Sequence, residues 1–291
     1  MTAILNTLST PFGLLLKFFY SLTGNYIISV ILLALASQIV LDPFSLLQRK
    51  SKAKLAMLSP QINILKAKYS DPGDKNKLND ELVKLYAENK YRPFSSCIAP
   101  ILQVFVIICI YQAIISPLRY ITGLSQSSII ALKDAIVNTG AEVSSHYSQF
   151  GMIDYLRSNG VDSFISIVPE LKNAVLPSFI VGPFNLSCIP SLSPVNNLAF
   201  VPIIAGIVMA LGTFFMNKRA NKMQNLPKEL RHGSAAVIST LVPTLVTAIL
   251  TIYILFKMPA IVSIYWLSRN VFDSISKLLL KKAMHKQQLS H

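Results

Sequence analysis

Residues 26–47, "YIISVILLALASQIVLDPFSLL", form a largely apolar run. It has the length a helix needs to cross a hydrocarbon core, roughly 20 residues at 1.5 Å each. Four further segments, 94–121, 197–216, 235–255 and 259–278, have the same character. No water exists in such a core to satisfy backbone groups, so each span must be helical. The last two are separated only by "FKMP" and are expected to form a tight helical hairpin. The chain is 52% hydrophobic and 14% charged, where soluble domains carry roughly a quarter charged residues. The expected fold class is an all-α integral membrane protein. It comprises a five-transmembrane-helix bundle, a cytoplasmic helical hairpin and an N-terminal interfacial helix.

The net charge of +14 on so apolar a chain needs a location. Residues 48–92 hold 11 of the 27 Lys/Arg, 217–233 hold 5, and the tail from Lys277 holds 4. Residues 125–196 hold only Lys133, Arg157 and Lys172, against 5 acidic residues. By the positive-inside rule the three basic regions are cytoplasmic and 125–196 lies outside. Five spans then put the N-terminus outside and the C-terminus in the cytoplasm of a bacterial plasma membrane. The domains expected are an interfacial amphipathic helix over 1–25, a first span over 26–47, a cytoplasmic helical hairpin over 48–93 and a second span over 94–121. A partly helical extracytoplasmic cap over 122–196 follows, then a third span over 197–216 and a cytoplasmic loop over 217–234. The fourth and fifth spans, 235–255 and 259–278, precede a basic cytoplasmic tail over 279–291. In the first region Lys17 interrupts the apolar run. A cleaved signal peptide would place its charge before that run, so an interfacial helix is the better reading.

In the cytoplasmic segment Leu55, Leu58, Ile62, Leu65 and Tyr69 recur at helical spacing, and Leu78, Leu82 and Leu85 repeat the rhythm after "SDPGDKN". The Asp-Pro-Gly-Asp core is a strong turn signal, giving an antiparallel helical hairpin with a narrow apolar seam. A seam so narrow buries too little for a rigid domain. Its lysines read as a solvated face against anionic headgroups.

Enzyme chemistry has little to stand on. Cys97, Cys109 and Cys188 form no metal or redox pattern, and His146, His232, His285 and His291 all lie outside the apolar spans. No HExxH, GxxxxGK[ST] or GxSxG occurs, so neither catalysis nor a cofactor or metal is expected.

Polar side chains within spans are costly and usually face a bundle interior or a wet cavity. Gln38 and Asp42 stand at i and i+4 in the first span, and Gln103 and Gln112 lie in the second. Thr240, Thr244, Thr247 and Thr251 draw a hydroxyl stripe down the fourth, with Ile249 and Ile252 assigned to the lipid side. The fifth carries Ser263, Arg269, Asn270 and Asp273. The threonine stripe also suits plain helix–helix packing, and Arg269 and Asp273, again i and i+4, also suit a self-neutralising pair. Polar groups in four spans favour one shared hydrophilic cavity. Counting from the outer span ends at 1.5 Å per residue puts Gln38 and Arg269 at depths of roughly 18 and 15 Å.

The stretches "PFGLLLKFFYSLTGNY", "KAKLAMLSPQINILKAKYSDPGDKNKLNDELVKLY", "PFSSCIAPILQ" and "IYWLSRNVF" resemble the YidC/Oxa/Alb membrane protein insertases. The likeness runs through all five spans in order and leaves 125–194 without an echo. It implies a five-helix bundle around a groove open to cytosol and lipid but closed to the outside. The implied activity is insertion of polar and hydrophobic segments of nascent membrane proteins, alone or beside the Sec translocon and the ribosome, with no nucleic-acid binding of its own. Bacterial members of that family usually carry a groove arginine in the first span, and the matching position here is Gln38. The reading that follows is a displaced charge: Arg269 supplies the cation, Gln38 is its neutral hydrogen-bonding partner, and Asp42 and Asp273 lie one turn deeper. The substrate groove is then assigned to Gln38, Asp42, Gln103, Gln112, Thr244, Thr247, Arg269, Asn270 and Asp273. A small solute transporter or channel using the same cavity is the alternative, although transporters usually show two related halves. A membrane assembly scaffold docking through the hairpin is a third reading.

Overall fold

The computed structural model of the chain describes residues 2–91, 95–144, 147–223 and 234–289. Phe94, His146, His232, His291 and most of the basic loop expected over 217–234 lie outside the described residues, as do the side chains of Cys97, Thr240 and the basic tail. The fold is mostly helical. Its long elements are α1 (Thr2–Thr23), α2 (Tyr26–Lys68), α3 (Lys75–Glu88) and α4 (Ser95–Ile114). Shorter helices α5 (Pro117–Tyr120), α6 (Gln126–Asn138) and α7 (Ser148–Asn159) follow. A two-residue antiparallel ladder, β1 (Ile180–Val181) with β2 (Phe184–Asn185), precedes α8 (Phe200–Met223), α9 (Ser234–Leu255) and α10 (Ala260–Leu289). Among the described residues one helical stretch, Tyr26–Gln48, is long and apolar enough to cross a membrane. Shorter apolar stretches occupy Ile101–Ile114, Phe200–Phe215 and Thr244–Leu255.

The chain divides into two compact units, Ile39–Ile107 and the remainder, with α2 and α4 each contributing to both. In the first of these, polarity changes near residue 48 but the helix does not stop. α2 runs unbroken for 43 residues, with Pro43 and Pro60 inside it. The apolar-to-basic change marks where the environment alters rather than where backbone hydrogen bonding ends. After the turn at 70–74, α3 returns, and Leu58, Ile62 and Tyr91 form a small buried cluster against Leu82, Leu85 and Tyr86. Leu55, at the edge of that seam, is exposed. The pairs Lys77–Asp74 and Lys84–Glu81 lie on the surface, where such pairs contribute little.

In the other unit α8 packs along both α9 and α10. This corrects the expected tight pairing of the last two helices. Their connection is short, but few close contacts join them and α8 supplies the packing partner for each. The reason is side-chain volume. Gly206 of α8 lets α9 approach so closely that a Cβ there would collide with Ile252. Outward, α9 shows Leu241, Leu245, Val246, Ile249, Leu250 and Tyr253, and α8 shows Ile203, Ile204, Ile207, Leu211 and Phe215, all exposed. So continuous an apolar surface exceeds what a water-facing protein presents.

α1 is apolar on two faces. Ser9 and Leu16 are fully buried, while Leu14, Phe18 and Leu22 are exposed at i, i+4 and i+8. Gly13 admits the Tyr120 ring where any Cβ would collide, and Tyr120 donates its hydroxyl to the Asn6 carbonyl at 3.2 Å. The cap has a core of its own. Phe179 meets Phe150 and Tyr26 edge-on, at centroid distances of 4.8 and 5.1 Å.

Candidate functional site

Every helix start leaves unsatisfied backbone N–H groups. For α10 the cap supplies the acceptors: Ala260 N–H donates to the Cys188 carbonyl and Ile261 N–H to that of Leu186, each at 2.9 Å. The loop that carries Leu186 and Cys188 is held in turn by Asp154, which accepts from Ser187 Oγ at 2.5 Å and from Asn185 Nδ2 at 3.0 Å. Tyr147 donates to the Lys257 carbonyl at 3.0 Å, in the turn before α10. At the same end Tyr26 of α2, wholly buried, donates to the Ile114 carbonyl of α4 at 2.6 Å. The cap end is therefore held together by hydrogen bonds and an aromatic core.

Farther along α2 and α10 the junction turns polar. Ser37 Oγ and Tyr265 Oη lie 3.3 Å apart, and Gln38 Nε2 donates to Asp273 Oδ1 at 3.4 Å. Both contacts are at the long end of hydrogen bonding, and Ser37, Gln38 and Tyr265 are buried. Tyr265, Arg269 and Asp273 stand at i, i+4 and i+8, one face of α10. The residues on either side of Arg269 both reach α2, so Arg269 sits on the face turned to that helix. Its Nε is buried and, with Trp266 Nε1 and Ser263 Oγ, finds no hydrogen-bond partner among the described residues. Buried donors of this kind are costly. A row of them along one helix is suited to water or to a passing polar backbone.

Beside the expected partnership of Gln38 with Arg269, the glutamine reaches Asp273, one turn farther along α10. Axial counting cannot separate the two, because Gln38 at roughly 18 Å lies midway between Arg269 and Asp273 at roughly 15 and 21 Å. Asn270 turns elsewhere. Its Nδ2 donates to the Trp266 carbonyl at 2.8 Å, and Ser274, bonded to the Asn270 carbonyl at 2.8 Å, faces Gly212 of α8.

Gln112 donates to Asn6 Oδ1 at 3.4 Å and to Ser116 Oγ at 3.3 Å, joining α4 to α1. Thr244 and Thr251 are buried on the face of α9 that carries Ala248, whose carbonyl lies close to Gly206. Thr251 donates to Met209 Sδ of α8 at 2.9 Å, and Thr247 bonds back to the Thr244 carbonyl at 3.0 Å. Within the stripe Thr251 serves the packing of α9 on α8. Ile252, assigned to lipid, packs against Gly206 instead, whereas Ile249 is 65% exposed. In the Ile39–Ile107 unit Asp42 is half-buried, and Gln103 accepts from Gln48 at 3.4 Å.

Sequence reasoning missed Ser37 and Tyr265 as members of this junction. Tyr265 was within reach of the pattern, since it precedes Arg269 by one turn on the same face. The Asp154–Asn185–Ser187 network carries no periodic signal, because its members come from a helix and a loop.

A family model described as 60Kd inner membrane protein matches residues 18–287 of this chain. Among curated relatives, a protein named Membrane protein insertase YidC from Oleidesulfovibrio alaskensis is 32% identical over 124 residues, covering 41% of this chain and 23% of the relative. One of the same name from Nitratidesulfovibrio vulgaris strain Miyazaki F is 30% identical over 132 residues, covering 44% of this chain and 24% of the relative. Another from Aquifex aeolicus is 32% identical over 105 residues, covering 36% and 20%. The matched stretch spans less than a quarter of those relatives' length.

Proposed function

The chain belongs to the 60Kd inner membrane protein family, and from that premise we propose that it is a membrane protein insertase. It moves polar segments of nascent membrane proteins through a hydrophilic groove beside α2 and α10. The observation that carries this reading is the buried polar α2–α10 junction, with Arg269 on the α2-facing side and its Nε unpartnered among the described residues. Five spans cross a bacterial plasma membrane, with the N-terminus outside and the C-terminus in the cytoplasm. The groove opens to cytosol and lipid. The short hydrogen bonds and aromatic core at the cap end support closure toward the outside.

Energetics gives the mechanism. A charged residue at the bilayer centre costs about 2.5–3.5 kcal/mol on insertion scales. A groove that carries water and hydrogen-bonding groups partway across shortens the apolar path. The apolar part of the substrate then leaves sideways into lipid, driven by its own burial. Arg269 supplies the positive charge that Gln38 does not, and Asp273, shared with Gln38, tempers it. The basic hairpin and loops meet anionic headgroups, and the Sec translocon and ribosome act beside the protein.

The test is reconstitution of the purified protein in liposomes. A newly synthesised single-span substrate with a short polar tail should become protease-protected in these vesicles and not in empty ones. Flux of a solute without any protein insertion would replace this reading with a transporter.

A further inference from the structure

We propose that the cap carries a membrane anchor: the β1–β2 tip and the loop 189–195 dip into the outer leaflet beside α8. The inference rests on the membrane reading above and adds a second lipid contact to it.

From Asn173 to Asn217 the sequence contains no charged residue. Within that run Ile180, Val181, Ile189, Leu192 and Val195 are exposed, from 42% to 73%. They lie on the half of the cap that leads into α8. Val181 pairs with Phe184 across the ladder, and the Phe184 ring meets that of Phe200, in the first turn of α8, at 5.4 Å. Phe200 is itself exposed, and Ile203, Ile204, Ile207 and Leu211 continue the apolar surface down the helix. The patch is therefore contiguous with the lipid-facing side of α8, and the same solvent covers both.

The segment is also built to meet that solvent as a rigid body. Asn196 Oδ1 accepts from the backbone N–H groups of Ser191 and Leu198, at 3.0 and 3.2 Å, and its Nδ2 donates to the Ile189 carbonyl at 2.9 Å. Leu186 N–H is bonded to the Phe179 carbonyl at 2.9 Å. Backbone groups satisfied internally are what an apolar environment demands. With no charge in the run, the contact is hydrophobic, so it should be indifferent to anionic lipid, unlike a basic amphipathic helix. Anchoring here would fix the mouth of the cap at the level of the outer headgroups.

The full chain is prepared with Cys97, Cys109 and Cys188 replaced by alanine and a single cysteine in place of Val181, Leu192, Ile207 or Asp134. Each is labelled with an environment-sensitive fluorophore in phosphatidylcholine vesicles, with and without phosphatidylglycerol. Labels at Val181 and Leu192 should be quenched several-fold more by lipid nitroxides placed near the headgroup than by aqueous iodide, equally in both lipids. A label at Asp134 should show the reverse. Iodide quenching at Val181 equal to that at Asp134 overturns the anchor, and so does shielding from both quenchers, which would mean that protein covers the patch. Ile207 separates the two inferences. If it is quenched from lipid while Val181 is not, only the anchor fails; if neither is, the membrane reading fails too. A photoreactive lipid applied to the unsubstituted protein tests the same contact without labelling: peptides spanning 179–195 should carry the crosslink, and their absence contradicts the anchor.

Discussion

Asp273 holds the middle of the α2–α10 junction through a long hydrogen bond from Gln38. Replacing it with leucine removes the acceptor and should destabilise the detergent-solubilised protein by about 1 kcal/mol. Asp273→Asn keeps an acceptor oxygen and should lose less than half as much, measured as a shift in thermal midpoint. Equal losses would mean that the aspartate acts through its charge. The polar residues themselves were legible in the sequence, because glutamine, arginine and aspartate stand out within apolar runs. Which of them meet was not. A residue count gives axial depth but not side-chain direction, so Gln38 could not be assigned between two neighbours equally far from its level.

At the scale of elements, the period of the α9 threonines was readable and their purpose was not. Thr244, Ala248, Thr251 and Leu255 are buried, and Leu241, Leu245 and Ile249 are exposed. A helix with one small, hydroxyl-bearing face and one bulky face is partitioned between protein and lipid. The partner helix was hidden because the α8 residues that meet it include a glycine and a methionine, neither with any periodic signature. Gly206→Leu should overpack that contact and destabilise the protein by about 1–3 kcal/mol. Adding Ile252→Ala opens space where the collision occurs and should recover part of the loss. Ile249→Ala, on the exposed side, should change the thermal midpoint little. A Gly206→Leu variant as stable as the parent would contradict the α8–α9 packing.

Across the whole molecule, stability is uneven. The Ile39–Ile107 unit has a small buried cluster around Leu58, Ile62 and Tyr91, and α3 has no buried residue of its own. Elements so thinly packed open readily. Backbone amides of α3 should exchange with deuterium well before those of α9 between Thr244 and Leu255, and the reverse order would refute the account of that unit. The turn signal and leucine spacing made this helical return readable from sequence. The continuity of α2 into it was not, since hydropathy reports surroundings and not backbone breaks. A cysteine replacing Gly73 should resist an impermeant reagent added outside intact cells, because the proposed topology puts the basic charge of this unit on the cytoplasmic side.

In the proposed mechanism a cation on α10 serves polar segments entering the groove. The most direct test compares insertion of one acidic-tailed substrate into liposomes by the parent protein, by Arg269→Ala, and by the exchange Gln38→Arg with Arg269→Ser. A charge in the cavity favours acidic segments wherever along the chain it originates. Arg269→Ala should therefore lose most insertion of this substrate while still inserting a neutral-tailed one, and the exchange should restore it. Unchanged insertion by Arg269→Ala would contradict the claim and leave hydration alone to explain the groove.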